Sequence, residues 1–113
     1  MPAPDPIRQG TLSSGRRWCL VESRRRSPRE DGTGPITGRH LILALEDESA
    51  QPTITERSEL WLLAEQFARE FAVRPGRYRI GQNGDDLCTR ETFHIHIILP
   101  NVDEELPKLV FRG

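Results

Sequence analysis

The chain has 113 residues, 35% hydrophobic and 29% charged, which is one domain's worth of polypeptide, too short for two independent cores and too apolar for a wholly disordered chain. Sixteen basic and seventeen acidic side chains leave a net charge of −1, which excludes a global electrostatic attraction to nucleic acid or to an anionic membrane surface. No apolar run reaches the roughly 18 residues that span a bilayer, and MPAPDPIRQG lacks the apolar stretch of a secretory signal.

The charge is unevenly spread. Residues 1–40 carry eight arginines against four acids, whereas 41–113 carry eight basic residues against thirteen acids. All basic residues but Lys108 are arginine, a bias that genome composition explains as readily as a need for bidentate anion contacts. Cys19 and Cys88 form no CxxC pair and are too few for a disulfide framework, so a reduced, cytoplasmic protein is expected.

In chain order, residues 1–16 hold three prolines and no periodicity, so a flexible tail is expected, followed by a single domain over 17–113. Trp18-Cys19-Leu20-Val21 reads as a short strand, and the charged, turn-rich stretch after it as a long loop. Arg39 to Leu45 is nearly continuous apolar sequence, as in a strand covered on both faces. Leu60, Leu63, Ala64, Phe67, Ala68 and Phe71 recur at three- and four-residue steps and predict a helix over about 55–73. Thr53 with Glu56 matches a capping box, with Thr55 as the other candidate cap, and Pro75-Gly76 supplies the stop. Arg77 to Gln82 alternates as a strand, Asn83-Gly84-Asp85-Asp86 signals a turn, and Glu91 to Leu99 is the strongest strand of the chain. The expected class is therefore α+β, an antiparallel sheet of about four to five strands with one long helix.

In that last strand, alternation sends Thr92, His94, His96 and Ile98 to one side and Phe93, Ile95, Ile97 and Leu99 to the core. Two imidazoles about 7 Å apart at the Cα level can touch a single phosphate or a single metal ion. Histidines at this spacing also occur as plain structural residues.

The whole order YRIGQNGDDLCTRETFHIHIILP resembles the histidine triad (HIT) family of nucleotide hydrolases and transferases. That family has a strand with Tyr-Arg near its start, an Asn, a Gly-rich loop ending in Gln-Ser or Gln-Thr, and then His-x-His-x-His. Tyr78-Arg79 and Asn83 sit in register with it, Thr89 takes the Ser/Thr place, and His94 and His96 take the second and third histidines. Upstream, Gly38-Arg39-His40-Leu41-Ile42-Leu43 is similar to the family's apolar strand that opens on a small residue and a histidine. The resemblance spans about residues 18–100.

It implies nucleophilic catalysis at phosphorus, with no cofactor. His94 would attack an α-phosphate to form a nucleotidyl-histidine that water hydrolyses, and His96 would donate to phosphate oxygens or the leaving group. Asn83 and Thr89 would hold the phosphate. Thr92 stands in the place of the first histidine, and Asp85, Asp86 and Leu87 replace most of the loop glycines. With the apolar residues kept in register, Arg39 falls in the place of the strand's histidine and would serve as a phosphate ligand. The implied partners are a nucleotide or phosphorylated small molecule and a second copy of the chain. The departures favour a relative that keeps nucleotide binding, or a regulatory role, without catalysis, whereas the survival of the attacking and donating histidines tips the reading toward an enzyme.

Other features have plainer readings. Arg24-Arg25-Arg26 and Arg29 read as a solvated loop rather than a nucleic-acid site. Cys88 reads as an ordinary thiol, and Trp18 and Trp61 as core or dimer surface. A zinc site of His40, His94 and His96 is the less favoured alternative, and no metal is expected. Leu109-Val110-Phe111 suits either a partner subunit or the parent domain.

Overall fold

The computed structural model describes residues 5–23, 38–47, 49–82 and 93–103. Among these, five strands and one helix follow in the order β1 (Arg8–Thr11), β2 (Arg17–Glu22), β3 (Arg39–Leu45), α1 (Ile54–Phe71), β4 (Arg79–Gly81) and β5 (His94–Leu99). All strand pairs are antiparallel, in the spatial order β1-β2-β3-β5-β4. The result is an α+β fold with a single sheet and one helix packed against it. The two most apolar strands, β3 and β5, lie side by side in the interior of the sheet, where both edges are paired.

The core forms on one face. Leu41 and Leu43 of β3, Ile95, Ile97 and Leu99 of β5 and Leu20 of β2 are fully buried, as is Leu60 of α1. Ala64, Phe67 and Ala68 continue the helix stripe, and Trp18 meets Phe67 with ring centroids 5.5 Å apart. Trp18 is thus a core residue, and Trp61 packs half-buried against the same cluster. Each fully buried Leu or Ile contributes about 1.5–3 kcal/mol relative to exposure.

The segment expected as a flexible tail instead supplies β1, and this corrects the domain reading. Arg8 to Thr11 pairs with Arg17 to Leu20 through a turn in which Gly15 takes φ 92°, and Ile7 N–H donates to the Leu20 carbonyl. No apolar alternation announced this strand because its two core-side positions are Arg8 and Gly10. The guanidinium of Arg8 lies 5.2 Å over the Phe71 ring and pairs with Glu70 at 2.7 Å. Gly10 lets the Trp18 indole cross the strand: a Cβ there would come within 2.6 Å of Trp18 Cζ2.

The helix starts where the sequence places its cap. Thr53 Oγ1 accepts from the Glu56 N–H at 3.1 Å while Glu56 Oε1 accepts from the Thr53 N–H at 2.8 Å, a reciprocal capping box. Glu56 is buried because the β1–β2 turn closes over it. The Ser14 hydroxyl and the Arg16 guanidinium both donate to its carboxylate, and Arg16 also donates to the carbonyls of Asp47 and Ala50 at 3.0 and 2.7 Å. α1 ends at Phe71, and Ala72 is already extended, slightly ahead of the Pro75-Gly76 stop.

The Ser14 hydroxyl first, then the Thr53 N–H and Arg16, hold the Glu56 carboxyl down to about 2 from an ordinary 4.5. A depressed folded-state value stabilises the protein above the unfolded value, and that stabilisation drains as pH falls from about 4.5 toward 2. Glu56→Gln is therefore expected to be less stable than wild type at pH 7, with the gap narrowing toward pH 2–3. Urea unfolding midpoints at pH 7, 4 and 2.5 check this, and a gap independent of pH would contradict it.

β4 is shorter than the predicted Arg77–Gln82, and β5 begins at His94 rather than Glu91. Glu91, the Asn83–Asp86 turn, Cys88, the arginines at 24–26 and 29, and the segment from 104 onward lie outside the described residues. Among the described residues no helix is long and apolar enough to cross a membrane.

Candidate functional site: three imidazoles on one sheet face

The face of the sheet opposite α1 is set by strand parity. In β5, Ile95, Ile97 and Leu99 face the helix, so His94, His96 and Ile98 face away. In β3, Leu41, Leu43 and Leu45 face the helix, so His40, Ile42 and Ala44 face away. The register places Ala44 beside His94, Ile42 beside His96 and His40 beside Ile98. On the other flank of β5, Gly81 lies beside His96 and Arg79 beside Ile98.

Three imidazoles gather on this face. His40 Nε2 lies 2.8 Å from His96 Nδ1, with ring centroids 5.0 Å apart. The His94 ring stands edge-on to that of His96 at 4.8 Å. His40 and His94 are buried, and His96 is half-buried with its Nε2 shielded from solvent.

Two ring nitrogens at 2.8 Å form a hydrogen bond only if one carries the proton and the other a lone pair. The His40–His96 pair therefore holds one proton between facing nitrogens. Whichever ring donates, the tautomer of His96 is coupled to that of His40, and a proton gained or lost at His96 Nε2 is answered across the bond. A shared metal ion would need the same two nitrogens as ligands, and no three His, Cys, Asp or Glu side chains among the described residues are arranged to hold a metal.

Of the residues expected at a phosphate site, the structure brings His94 and His96 together and keeps Arg39 away. Arg39 shares the parity of Leu41 and Leu43 and lies on the helix face. There its guanidinium forms a two-pronged pair with Glu22 at 2.9 and 3.0 Å and lies 5.2 Å over the Phe71 ring. The pair with Glu22 raises its pKa, so Arg39 is a fixed cation of the wrong face, and its reading as a phosphate ligand is corrected. Asn83, Thr89 and Thr92 lie outside the described residues.

His40 is the residue that the expected phosphate site lacked. Parity within Arg39–Leu45 already sets His40 opposite the odd-numbered leucines. A run that is apolar on both faces does not say which face meets the helix, and only pairing with β5 brings His40 to His96.

The sequence matches no family model, and neither a curated protein nor a solved structure shows significant similarity to it.

Proposed function

We propose that the chain is a HIT-type phosphohydrolase or nucleotidyl transferase acting on nucleoside monophosphate derivatives, with a HIT-like arrangement of the sheet. What supports this reading is the contact between His40 and His96 beside His94. It sets an attacking imidazole next to a second imidazole that can both release and recover a proton. A ring nitrogen of His94 attacks phosphorus, forming a P–N bond as the bond to the leaving group breaks. With His40 entering as the imidazolium, His96 Nε2–H gives its proton to the leaving group and His40 Nε2–H passes its proton to His96 Nδ1, so that both rings end neutral. Water then attacks phosphorus, losing a proton to His96 Nε2 while His96 Nδ1–H returns its proton to His40, and the P–N bond breaks to release His94 and the nucleoside monophosphate. Asn83, Thr89 and Thr92 belong to this proposal as phosphate ligands. So do a reducing cytoplasmic setting and pairing with a second copy of the chain.

The shielding of His96 Nε2 favours a second reading, in which the chain binds nucleotide without turning it over. Rapid-quench trapping with radiolabelled adenosine and guanosine phosphoramidates separates the two. The expected result is acid-labile label on the wild type that vanishes in His94→Ala. Label that survives in His94→Ala and vanishes in His96→Ala would move the attack to His96. No label from either nucleotide, with calorimetry still reporting nucleotide binding, would overturn catalysis and leave the binding module.

A further inference from the structure

The head of β5, where the attacking imidazole sits, is held from the helix side of the sheet. Phe93 lies one residue before the last paired position of the strand, where His94 stands beside Ala44. Parity turns the Phe93 ring toward the helix, and it is buried in the core cluster. The guanidinium of Arg57, near the start of α1, lies 5.0 Å from the centre of that ring, and Arg57 Nε donates to the Pro52 carbonyl at 3.4 Å. The Phe93 N–H donates to the side-chain oxygen of Gln51 at 3.3 Å. The residue that leads into His94 is thus gripped twice, its backbone by Gln51 and its ring by Arg57.

Gln51 is itself fixed in place. It lies in the connection between β3 and α1, two residues before the Thr53 cap, and its backbone carbonyl accepts from Arg16 at 3.4 Å. Arg16 also donates to the Asp47 and Ala50 carbonyls and pairs with Glu56 at 3.2 Å. A line of contacts therefore runs from the β1–β2 turn through Arg16 to Gln51, and from Gln51 through the Phe93 amide to His94. One residue outside the β3–β5 pairing, a carboxamide oxygen takes the place that a neighbouring strand's carbonyl takes within it. Peptide units are planar, so holding this N–H limits how far the start of β5 can swing, and with it the His94 ring.

We propose that Gln51 is a positioning residue for His94: its carboxamide oxygen, by holding the Phe93 N–H, fixes the direction of the imidazole at the head of β5. The inference rests on reading His94 as the group that attacks phosphorus, and adds a residue from a distant segment on which the aim of that attack depends. Gln51 touches neither the substrate nor a proton in transit. Its effect therefore falls on the rate of attack rather than on the grip on the nucleotide, since a misplacement of about 1 Å at a reacting atom costs up to about 100-fold in rate.

Gln51→Met keeps the length of the side chain and removes the acceptor, whereas Gln51→Glu restores an acceptor oxygen. Rapid-quench labelling with the adenosine phosphoramidate and NMR of the histidine rings and the Phe93 amide read both variants in the full chain. Gln51→Met is expected to lower the labelling rate at saturating nucleotide by about 10–100-fold while the half-saturating concentration changes little. It should also speed hydrogen exchange of the Phe93 amide about tenfold and shift the His94 ring resonances. Gln51→Glu should recover most of the rate and the wild-type His94 signals. Gln66→Met, the same change on the exposed side of α1, should behave as wild type throughout, and thermal transitions show that each variant is folded. An intact labelling rate in Gln51→Met, unchanged Phe93 exchange and His94 resonances, a loss that Gln51→Glu fails to recover, or an equal loss in Gln66→Met overturns the assignment. No label on the wild type sinks the catalytic reading, and the exchange and ring signals of Gln51→Met then decide the positioning of His94 by themselves.

Discussion

Gly38→Ala should lower the thermal midpoint by about 10 °C or more, corresponding to about 3 kcal/mol, the upper end of the usual cost of overpacking, or more. Gly38 enters β3 against the end of β5. A Cβ there would come within 2.8 Å of Pro100 Cα and 2.9 Å of Asn101 N, and closer still to the Leu99 carbonyl oxygen. All three neighbours are backbone atoms, so no side-chain rotation relieves the clash, and the central strand pair itself must part. The control is Gly81→Ala, where an added Cβ meets no atom of the described residues within 4 Å and stability should stay within about 1 kcal/mol of wild type. Paired thermal and urea unfolding of the two variants decides the matter. Equal midpoints for them would contradict the close approach of β3 to the end of β5.

His40→Ala should slow turnover by about 10²–10⁴-fold, the usual range for a lost proton-transfer partner, and destabilise the fold by about 1–3 kcal/mol by stranding His96 Nδ1 in a buried site. The stability effect alone would accompany any broken buried hydrogen bond, so the kinetic readout carries the functional claim. A relay role shifts the alkaline limb of the rate profile, whereas simple loosening lowers the rate evenly across pH. A double-mutant cycle with His40→Leu and His96→Leu isolates the pair, and the coupling expected for residues in contact is about 0.5–3 kcal/mol. Coupling near zero would contradict a direct hydrogen bond between them. A flat kinetic response would remove the relay from the mechanism.

The sequence carried the periodic parts of this fold. The stripe from Leu60 to Phe71 and the Thr53–Glu56 box announced α1, and the run Phe93 to Leu99 announced β5 with its two-faced alternation. What stayed hidden had local chemistry unlike its structural role. β1 shows no apolar alternation because an arginine over an aromatic ring and a glycine under an indole occupy its core-side positions. For the candidate site, the parity of His94 and His96 was legible within one strand. The membership of His40, and the exclusion of Arg39, depended on how β3 pairs with a strand about fifty residues away, and nothing in Gly38 to Leu45 fixes that partner. Glu56 read as a helix cap, but the closure of Ser14 and Arg16 over it was invisible because those contacts join segments about forty residues apart.

The strand order also dictates when the protein becomes safe to leave unattended. β3 is flanked by β2 and β5, and β5 follows every other strand among the described residues. During synthesis, β1, β2 and β3 can form a three-stranded sheet, but its most apolar strand then has one bare edge, with unpaired amides and carbonyls beside Leu41 and Leu43. Such an edge is a template for pairing with another nascent chain. The segment that closes it also carries His94 and His96, so the hazard ends at the same step of translation at which two of the three imidazoles arrive. A ribosome stalled before residue 94 therefore yields a sticky product with no site. Completing the strand supplies both the seal and two of the three imidazoles.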